Sequence, residues 1–452
     1  MRRRPFFALA ALAAAFLIIA TSASAADYVP GRVIVKYKHG APRLVRSIVQ
    51  HRTKTAFASR LPTGARALRI TGDRSVPATI AALRKHPDVQ YAVPDYIAHT
   101  ADYIPNDPGF AHVAGGWQQT QWDMTGPFSM NAPLAWQEAI DAGASGGRGV
   151  IVAVLDTGVA YENYRKFRKA PDLHGGRFVR AYDFVDNDRH ANDENGHGTH
   201  VTMTIAEATG NGTGLTGLAY NVKVMPLRVL DAEGAGDAIA ISRAIRYAAK
   251  NGAKVINMSL EFDTSVTASQ IPEIVSAVRY AHRKNVVMVA ASGNEADNAV
   301  AYPARTTHVI SVGAITKDGC QADYSNGGSG LKLVAPGGGS DAPNTDNPAD
   351  ATNCHPGVDE PPIFQQTFAH DGSVRHFALR GEEYEGTSMA SPHVAAAAAL
   401  LIASKRLGAH PSANAVADRL FHTAFDLGPV GYDTRYGYGE VQPAAALSRL
   451  IP

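Results

Sequence analysis

From residue 149 onward, short apolar runs alternate with longer segments that carry apolar residues at helical spacing. The runs show no regular alternation with polar residues, which is typical of strands buried on both faces. The predicted strands are residues 150–155, 222–229, 255–260, 286–291 and 308–312. This alternation predicts an α/β domain whose mainly parallel sheet is covered by helices on both faces. In such sheets the active site lies at the carboxyl ends of the strands.

Helices are expected between these strands. Residues 237–251 and 271–285 carry apolar side chains at helical spacing, and another helix should run from about residue 197 to Ala208. An alanine-rich helix is predicted to begin near Val394, because Pro392 suits a first helical turn.

The first hundred residues have a different pattern. Residues 28–98 predict strands and helices in alternation: a strand at 32–37, a helix ending at His51, a strand at 67–70, a helix at 77–86 and a strand at 89–93. This order predicts a small α+β domain of the ferredoxin-like, split βαβ type. Residues 100–130 are rich in Pro, Gly, Asn and Asp, so we expect the domain boundary there.

The chain starts with a basic and apolar leader. Arg2, Arg3 and Arg4 precede an apolar run over residues 6–20, and small residues follow up to Ala25. This pattern predicts a secretory signal peptide over residues 1–25, and hence an extracellular or periplasmic protein. A membrane anchor is the alternative, but about 15 apolar residues are too few to span a bilayer.

Charge and cysteine content narrow the possible functions. The chain has 43 Lys plus Arg against 41 Asp plus Glu, so nothing in its charge favours nucleic acid as a partner. The two cysteines are Cys320 and Cys354, and export makes a disulfide between them chemically possible. Two unpaired buried thiols are the alternative. Residues 336–380, which contain Cys354, are rich in Gly, Pro and Asp and predict a long surface insertion.

Three reactive side chains stand where predicted elements begin or end. Asp156 follows the strand at 150–155, His197 stands at a helix start, and Ser388 precedes the alanine-rich helix. A serine hydroxyl becomes a nucleophile when an imidazole takes its proton, and a carboxylate orients that imidazole. The order Asp, His, Ser differs from the orders found in chymotrypsin and in α/β-hydrolases, so it excludes a lipase-like esterase.

Residues 105–452 resemble the subtilisin-like serine proteases, and this resemblance rests on the three motifs, above all on the segment 386–393. Residues 28–98 resemble the inhibitory propeptide of the same family. The resemblance implies a secreted endopeptidase that acts on proteins or peptides, is inhibited by its own propeptide, and removes it by self-cleavage. The expected organisation is a signal peptide (1–25), a propeptide (26–100), a linker with the start of the mature chain (101–130) and a catalytic domain (131–452). We expect a monomer without a stable membrane anchor.

The resemblance also implies roles for the cleft residues. Asp156 would orient His197, His197 would be the general base and then acid, and Ser388 would attack the substrate. Asn294 matches the family's oxyanion asparagine, although a turn residue before a loop is the alternative. The segment at Ser259 and Leu260 would pair with the substrate. Ala301 would form the floor of the pocket for the residue before the cut bond.

Calcium is the expected cofactor. Acidic residues crowd the loop before His197, and their oxygens at short spacing suit this ion; they are Asp183, Asp186, Asp188, Asp193 and Glu194. A second site, at Asp172 with the Asn211 loop, resembles a calcium site of the family. The alternative is a merely solvated acidic loop.

Two positions depart from the family pattern. Thr202 and Met203 replace a small residue and Gly, so the helix that carries His197 must pack differently. Glu261 replaces a Gly that lines the substrate cleft. A carboxylate at the rim predicts mixed specificity, with apolar side chains accepted and Lys or Arg favoured more than in a Gly-bearing relative. Glu261 could instead turn into solvent, and both departures make an inactive peptide-binding homologue the alternative to an enzyme.

Overall fold

A computed structural model describes residues 28–72, 74–96, 103–173, 177–343 and 354–448. The chain separates into two compact units, Met1–Ala101 and Asp102–Pro452. The predicted signal peptide, residues 1–25, lies outside the described residues.

The smaller unit is a four-stranded antiparallel sheet with two helices. Its elements are β1 (Tyr28–Tyr37), α1 (Arg43–Arg52), β2 (Thr55–Arg60), β3 (Arg66–Ile70), α2 (Val76–Arg84) and β4 (Val89–Tyr96). The strand order β2-β3-β1-β4 is the expected split βαβ arrangement. Strand β2 was not predicted, because it is an edge strand whose last four residues are exposed and carry no apolar alternation. Val33, Val35 and Leu68 are fully buried in the core of this unit.

The larger unit contains a seven-stranded parallel sheet and a separate hairpin. Its strands are β5 (Ile151–Asp156), β6 (Tyr182–Asp183), β7 (Lys223–Arg228), β8 (Val255–Met258), β9 (Val287–Ala291), β10 (Val309–Ile315), β11 (Leu333–Pro336), β12 (Gln365–Phe368) and β13 (Phe377–Arg380). The sheet order is β11-β10-β9-β8-β5-β7-β6, while β12 and β13 pair antiparallel with each other. The prediction of a mainly parallel sheet is confirmed.

Helices cover both faces of this sheet. They are α3 (Trp117–Thr120), α4 (Trp122–Thr125), α5 (Ala132–Asp141), α6 (His197–Ala206), α7 (Ala238–Lys250), α8 (Pro272–Arg283), α9 (Thr387–Ser404), α10 (Ala413–His422) and α11 (Pro443–Leu447). Alternate residues of β5 point into opposite cores: Val152 and Val154 join the core of α5, α6 and α9, whereas Ala153 and Leu155 join that of α7 and α8. Burial on both faces explains why the strand reads as one continuous apolar run.

Helix α9 begins at Thr387, seven residues before the predicted start at Val394. Pro392 therefore lies inside the helix and not in its first turn. A proline inside a helix leaves the carbonyl four residues earlier, here that of Ser388, without its usual partner. Among the described helices, α9 alone is long and apolar enough to cross a membrane, but most of it is buried in the fold.

The segment predicted as a surface insertion is partly a packed structure. The hairpin β12–β13 lies within it, and Gln365 and Thr367 are fully buried. Phe368 of this hairpin packs against Met203 of α6 in a small separate core. The side chain of Met203, which replaces the family's Gly, therefore fills space against the hairpin. The predicted disulfide between Cys320 and Cys354 is confirmed, and it ties the middle of this segment to the loop after β10.

Candidate active site

Asp156 and His197 meet at the carboxyl edge of the sheet. Asp156 is the last residue of β5, and its Oδ1 lies 2.7 Å from Nδ1 of His197, the first residue of α6. The carboxylate of Asp156 is buried, whereas about a quarter of the His197 side chain (26%) is exposed to the cleft. Burial alone would lower the pKa of His197, but the charge and hydrogen bond of Asp156 raise it above the usual value.

The start of α6 is held in place by glycine and by Asp193. A Cβ on Gly198 would lie 2.2 Å from the Gly158 carbonyl and 3.0 Å from Asp156, so only glycine lets the helix approach β5 this closely. Asp193 Oδ1 accepts hydrogen bonds from Thr157 Oγ1 and the Gly196 N–H, and its Oδ2 accepts two from Thr199. Asp193 thus satisfies N–H groups at the helix start, which fixes the position of His197.

Ser388 is the second residue of α9 and lines the same cleft as His197. Its Oγ lies 3.4 Å from the carbonyl oxygen of Ser259, and the structure contains no hydrogen bond between the two described side chains of Ser388 and His197. Catalytic hydrogen bonds of this kind are often long before a substrate binds.

Asn294 presents an N–H donor to the cleft beside Ser388. The backbone N–H of Thr387 donates to Asn294 at 2.8 Å, and Thr387 Oγ1 lies 3.0 Å from the same atom. Because a backbone N–H can only donate, this atom is Oδ1, and the amide Nδ2 must face the other way. Asn294 is therefore oriented by the residue that precedes the nucleophile candidate.

The cleft has two halves that meet at His197 and Ser388. One half has a volume of about 490 Å³ and is lined by Ser259, Leu260 and Glu261, opposite the glycine-rich loop 234–236. The other has a volume of about 600 Å³ and is lined by Asn294 and by the tip of the β12–β13 hairpin. Ala301 is fully buried and lines neither half of the cleft, so its role as the pocket floor stays a prediction.

The two other histidines of the motifs are structural, as expected. His200 is fully buried, its Nε2 meets the Ile363 carbonyl at 3.0 Å, and burial lowers its pKa to about 3. His393 is also fully buried, with its ring nitrogens 2.9 Å from the Met389 carbonyl and 3.0 Å from Asp123.

Comparison with known proteins agrees with this geometry. Residues 147–439 match the Subtilase family, and residues 15–95 match the Fervidolysin N-terminal prodomain. The chain belongs to the subtilase family. This subtilase is accordingly a serine-type endopeptidase with an N-terminal prodomain.

Relatives with similar sequences or structures bear related names. The subtilase is 34% identical to the "Thermophilic serine proteinase" of Bacillus sp. (strain AK1), over 84% of this chain and 79% of the relative. It is 34% identical to "Thermitase" of Thermoactinomyces vulgaris, over 67% of this chain and 87% of the relative. A solved protease structure from Pseudoalteromonas arctica PAMC 21717 superposes with a TM-score of 0.59 at 29% identity, over 76% of this chain and 99% of the other.

Three buried carboxylates of the subtilase surround the Asn211 loop. Asp107, Asp172 and Glu207 are all fully buried, and no ion pair joins any of them to a Lys or Arg among the described residues. Asp172 Oδ2 and Glu207 Oε2 are buried and accept no hydrogen bond from an N–H or hydroxyl group of the described residues. Burial raises the pKa of Asp172 to about 6, and burial followed by the charge of Asp172 raises the pKa of Glu207. Such unpaired buried oxygens suit a hard cation, so these residues fit the expected calcium ion.

Asn211 takes a different position from the one a ligand needs. Its Oδ1 accepts the Thr213 N–H at 2.9 Å, and its Nδ2 donates to Asp172 Oδ1 at 2.6 Å. The amide therefore presents a donor to Asp172, and its oxygen already has a partner.

The acidic loop before His197 forms ion pairs. Arg228 lies 3.0 Å from Asp183, 2.9 Å from Asp186 and 3.0 Å from Glu194, and only 5% of its side chain is exposed. Asp188 is not part of this group, and its Oδ1 accepts the His190 N–H at 2.7 Å. A calcium ion here would have to share Asp183 and Asp186 with Arg228, so this loop fits the ion less well than Asp172 and Glu207 do.

Sequence reasoning missed several residues that shape the site. Thr387 and Asp193 act by orienting Asn294 and α6, and Asp107 and Glu207 add carboxylates to Asp172. Thr387 could have been predicted as a site residue, because it lies inside the motif 386–393 and directly precedes Ser388. Asp107 and Glu207 could not have been found from the sequence, because they lie 65 and 35 residues from Asp172.

Proposed function

We propose that this subtilase is a secreted endopeptidase that cuts proteins through an acyl-enzyme at Ser388. The 2.7 Å contact between Asp156 and His197, in the cleft that also holds Ser388, is the observation that carries the proposal. This arrangement supplies a nucleophile, a base and a carboxylate that orients the base.

The reaction has two halves. His197 removes the proton from Ser388 Oγ as Oγ bonds to the substrate carbonyl carbon, and the proton then passes from His197 to the departing amine as the C–N bond breaks. A water molecule repeats the sequence, giving its proton to His197, and the carboxylic acid leaves as Ser388 regains its hydrogen. Asp156 stabilises the imidazolium form that His197 passes through in each half.

Two N–H groups are proposed to bind the oxyanion. Thr387 donates to Asn294 Oδ1, which turns Asn294 Nδ2 toward the cleft as the donor. The second donor is the backbone N–H of Ser388, in the first turn of α9, where the helix dipole also favours negative charge. Donors held in place before the reaction stabilise the charge without reorganisation.

Peptide substrates would lie along both halves of the cleft. The half lined by Ser259, Leu260 and Glu261 would take the residues before the cut bond, as the resemblance to subtilisin-like proteases implies. The half beside the β12–β13 hairpin would take those after it. Glu261 lies in the first half, so a Lys or Arg before the cut bond would meet a carboxylate.

Maturation is proposed to follow the order of the segments. The signal peptide at residues 1–25 would direct export, and the prodomain would then inhibit the catalytic domain until self-cleavage in residues 97–102, between β4 and Tyr103. The product would be a monomer in the periplasm or the medium.

Calcium is proposed as a structural cofactor held by Asp172 and Glu207, with Asp107 nearby. The ion would neutralise carboxylates that are buried without a cation, and it would take no part in peptide hydrolysis. This role follows from the orphaned oxygens of Asp172 and Glu207.

Labelling with a fluorophosphonate probe tests the proposed activity. Wild-type protein should label at Ser388 and cleave casein, whereas heat-denatured protein and Ser388→Ala should do neither. A folded wild-type protein that never labels would instead be an inactive peptide-binding homologue.

A further inference from the structure

Glu261 lines the substrate cleft, and Glu295 lies directly beside it. If Gly293 carried a Cβ, that atom would lie 2.8 Å from Glu261 Oε2 and 2.8 Å from Glu295 Oε2, so both carboxyl groups face one point. The two groups are within reach of one shared proton. Glu261 follows β8 and Glu295 follows β9, and these neighbouring parallel strands deliver both residues to the same edge.

Glu295 is held in this position by Asn326. The N–H groups of Glu295 and Asp297 both donate to Asn326 Oδ1, at 3.0 and 2.8 Å. Its Nδ2 therefore faces Glu295 and donates to Oε2 at 2.5 Å. Glu295 is exposed, so a charged group that enters beside Glu261 can reach the pair from solvent.

Glu261 is the less satisfied partner. Its Oε2 is buried and accepts no hydrogen bond from an N–H or hydroxyl group of the described residues, and Asn294 Nδ2 donates to its Oε1 at 3.5 Å. Burial and then the negative charge of Glu295 raise the pKa of Glu261 to about 7. Glu261 therefore does not simply turn into solvent.

No cation neutralises the pair within the part of the chain that the structure describes. The charged or titratable groups on the surrounding segments are Asp263, Asp297, Arg305 and His197. Asp297 accepts a hydrogen bond from Thr264, and Arg305 lies over the ring of Tyr302. His197 is across the cleft and is paired with Asp156.

We infer that Glu261 and Glu295 together select for Lys or Arg immediately before the cut bond, and that this selection strengthens as the pH rises and the pair loses its shared proton. The inference rests on the proposed endopeptidase function. With the shared proton, one carboxyl donates to the other and an apolar side chain meets a single charge. Without it, two adjacent negative charges face the substrate.

Ionisation of the pair would then disfavour the cleavage of an uncharged substrate in two ways. It leaves two repelling carboxylates unpaired, and it leaves ionised Glu261 beside the Asn294 amide that must donate to the oxyanion. A Lys or Arg side chain neutralises the pair and removes both penalties. His197 must be neutral for either substrate, so its ionisation cancels in the ratio of the two rates.

The test uses two peptides that differ only in having Arg or Phe before the cut bond. At low salt, the ratio of kcat/KM for Arg to that for Phe should rise about fivefold between pH 5.5 and pH 9 in the wild type. Glu261→Gln should give a ratio that does not vary with pH, and Glu295→Gln should give a smaller rise at lower pH than the wild type, because only burial then raises the pKa of Glu261. The matched control is Asp263→Asn, which removes an exposed charge from the same loop and should behave like the wild type.

A wild-type ratio that stays constant with pH while both peptides are cleaved would overturn the inference and leave the endopeptidase function intact. The inference would also be overturned if the Arg-to-Phe ratio rose with pH as much in both Gln variants as in the wild type, because the pair could not then be the cause. A folded protein that cleaves neither peptide and does not label with a fluorophosphonate would overturn the proposed function, and this inference with it. The wild-type profile decides the matter even if a variant fails to fold.

Discussion

Ser259 Oγ donates a hydrogen bond to the carbonyl oxygen of Ser388 at 2.8 Å. That carbonyl would accept the N–H of residue 392 in a regular helix, but residue 392 is a proline. Asn257 Nδ2 donates to Ser259 Oγ at 2.9 Å, and Ser391 Oγ lies 2.8 Å from it, so the hydroxyl is fully satisfied. A buried side chain from the end of β8 thus completes the first turn of the helix that carries Ser388.

Replacing Ser259 by Ala should destabilise the catalytic unit by about 1–3 kcal/mol, because the Ser388 carbonyl and the Asn257 amide would both lose a buried partner. The measurement is denaturant unfolding in a Ser388→Ala background, which keeps the carbonyl and prevents self-digestion. All three tryptophans lie in this unit, at Trp117, Trp122 and Trp136, so their fluorescence reports on it alone. Ser391→Ala removes only the outer hydroxyl and should cost less; equal effects would contradict the explanation.

Replacing Asp156 by Asn should lower kcat by a factor on the order of 10⁴. His197 is a base only when neutral, so wild-type kcat/KM should rise with pH through an apparent pKa above 6.5, the direction in which Asp156 moves it. Without the carboxylate this apparent pKa should fall. The pH profile of kcat/KM on a neutral peptide, measured in a Glu261→Gln background so that the Glu261–Glu295 pair does not contribute, shows both effects. An unshifted profile after Asp156→Asn would rule out this pairing.

Replacing Asn294 by Ala should lower kcat by about 10²- to 10³-fold with little change in KM, because the amide would act only on the oxyanion. Thr387→Val removes the hydroxyl contact at 3.0 Å but keeps the backbone N–H, so it should cost less. The apparent pKa of His197 should stay as in the wild type. A rise in KM with unchanged kcat would show instead that Asn294 binds the ground state.

Self-processing predicts different masses for active and inactive protein. Wild type should lose its prodomain, with a new N-terminus between Tyr96 and Tyr103, since β4 ends at Tyr96 and the Tyr103 ring packs against Trp136 and Tyr220 of the larger unit. Ser388→Ala should keep residues 26 to about 100. Intact mass and N-terminal sequencing in a protease-deficient host provide the measurement. Equal trimming of both proteins would mean that another enzyme makes the cut.

Calcium should stabilise the catalytic unit by about 2.7 kcal/mol when its concentration is 100 times the Kd. Glu207→Gln should have two opposite effects: a higher Tm in chelator, because one of the buried repelling carboxylates is gone, and a smaller gain on adding calcium. Melting curves of Ser388→Ala with and without chelator measure this. Asp186→Asn, which acts on the loop paired with Arg228, is the control and should keep the full calcium response. Identical curves with and without calcium would exclude the site.

Much of the fold was predictable because strands that are buried on both faces appear in the sequence as continuous apolar runs. The apolar runs at 150–155 and 286–291 match β5 and β9 within one residue at each end. In the larger unit, strands β6, β11, β12 and β13 were missed, since β6 and β11 are only two and four residues long and the hairpin strands mix polar with apolar residues. The start of α9 was wrong because a side chain from another segment compensates for Pro392.

The sequence by itself determined the reactive residues and their family, because Asp156, His197 and Ser388 each sit in a short motif whose neighbours serve local geometry. Glycine beside Asp156 and His197, for example, allows close backbone approach. The environment of these residues was decided only by the tertiary structure: Glu295 beside Glu261, Glu207 beside Asp172, and Phe368 against Met203. These partners lie between 34 and 165 residues apart in the chain. Contacts over such separations depend on how strands and loops are ordered in space. The residues next to a charged or bulky side chain in the sequence do not indicate which distant residue it will contact.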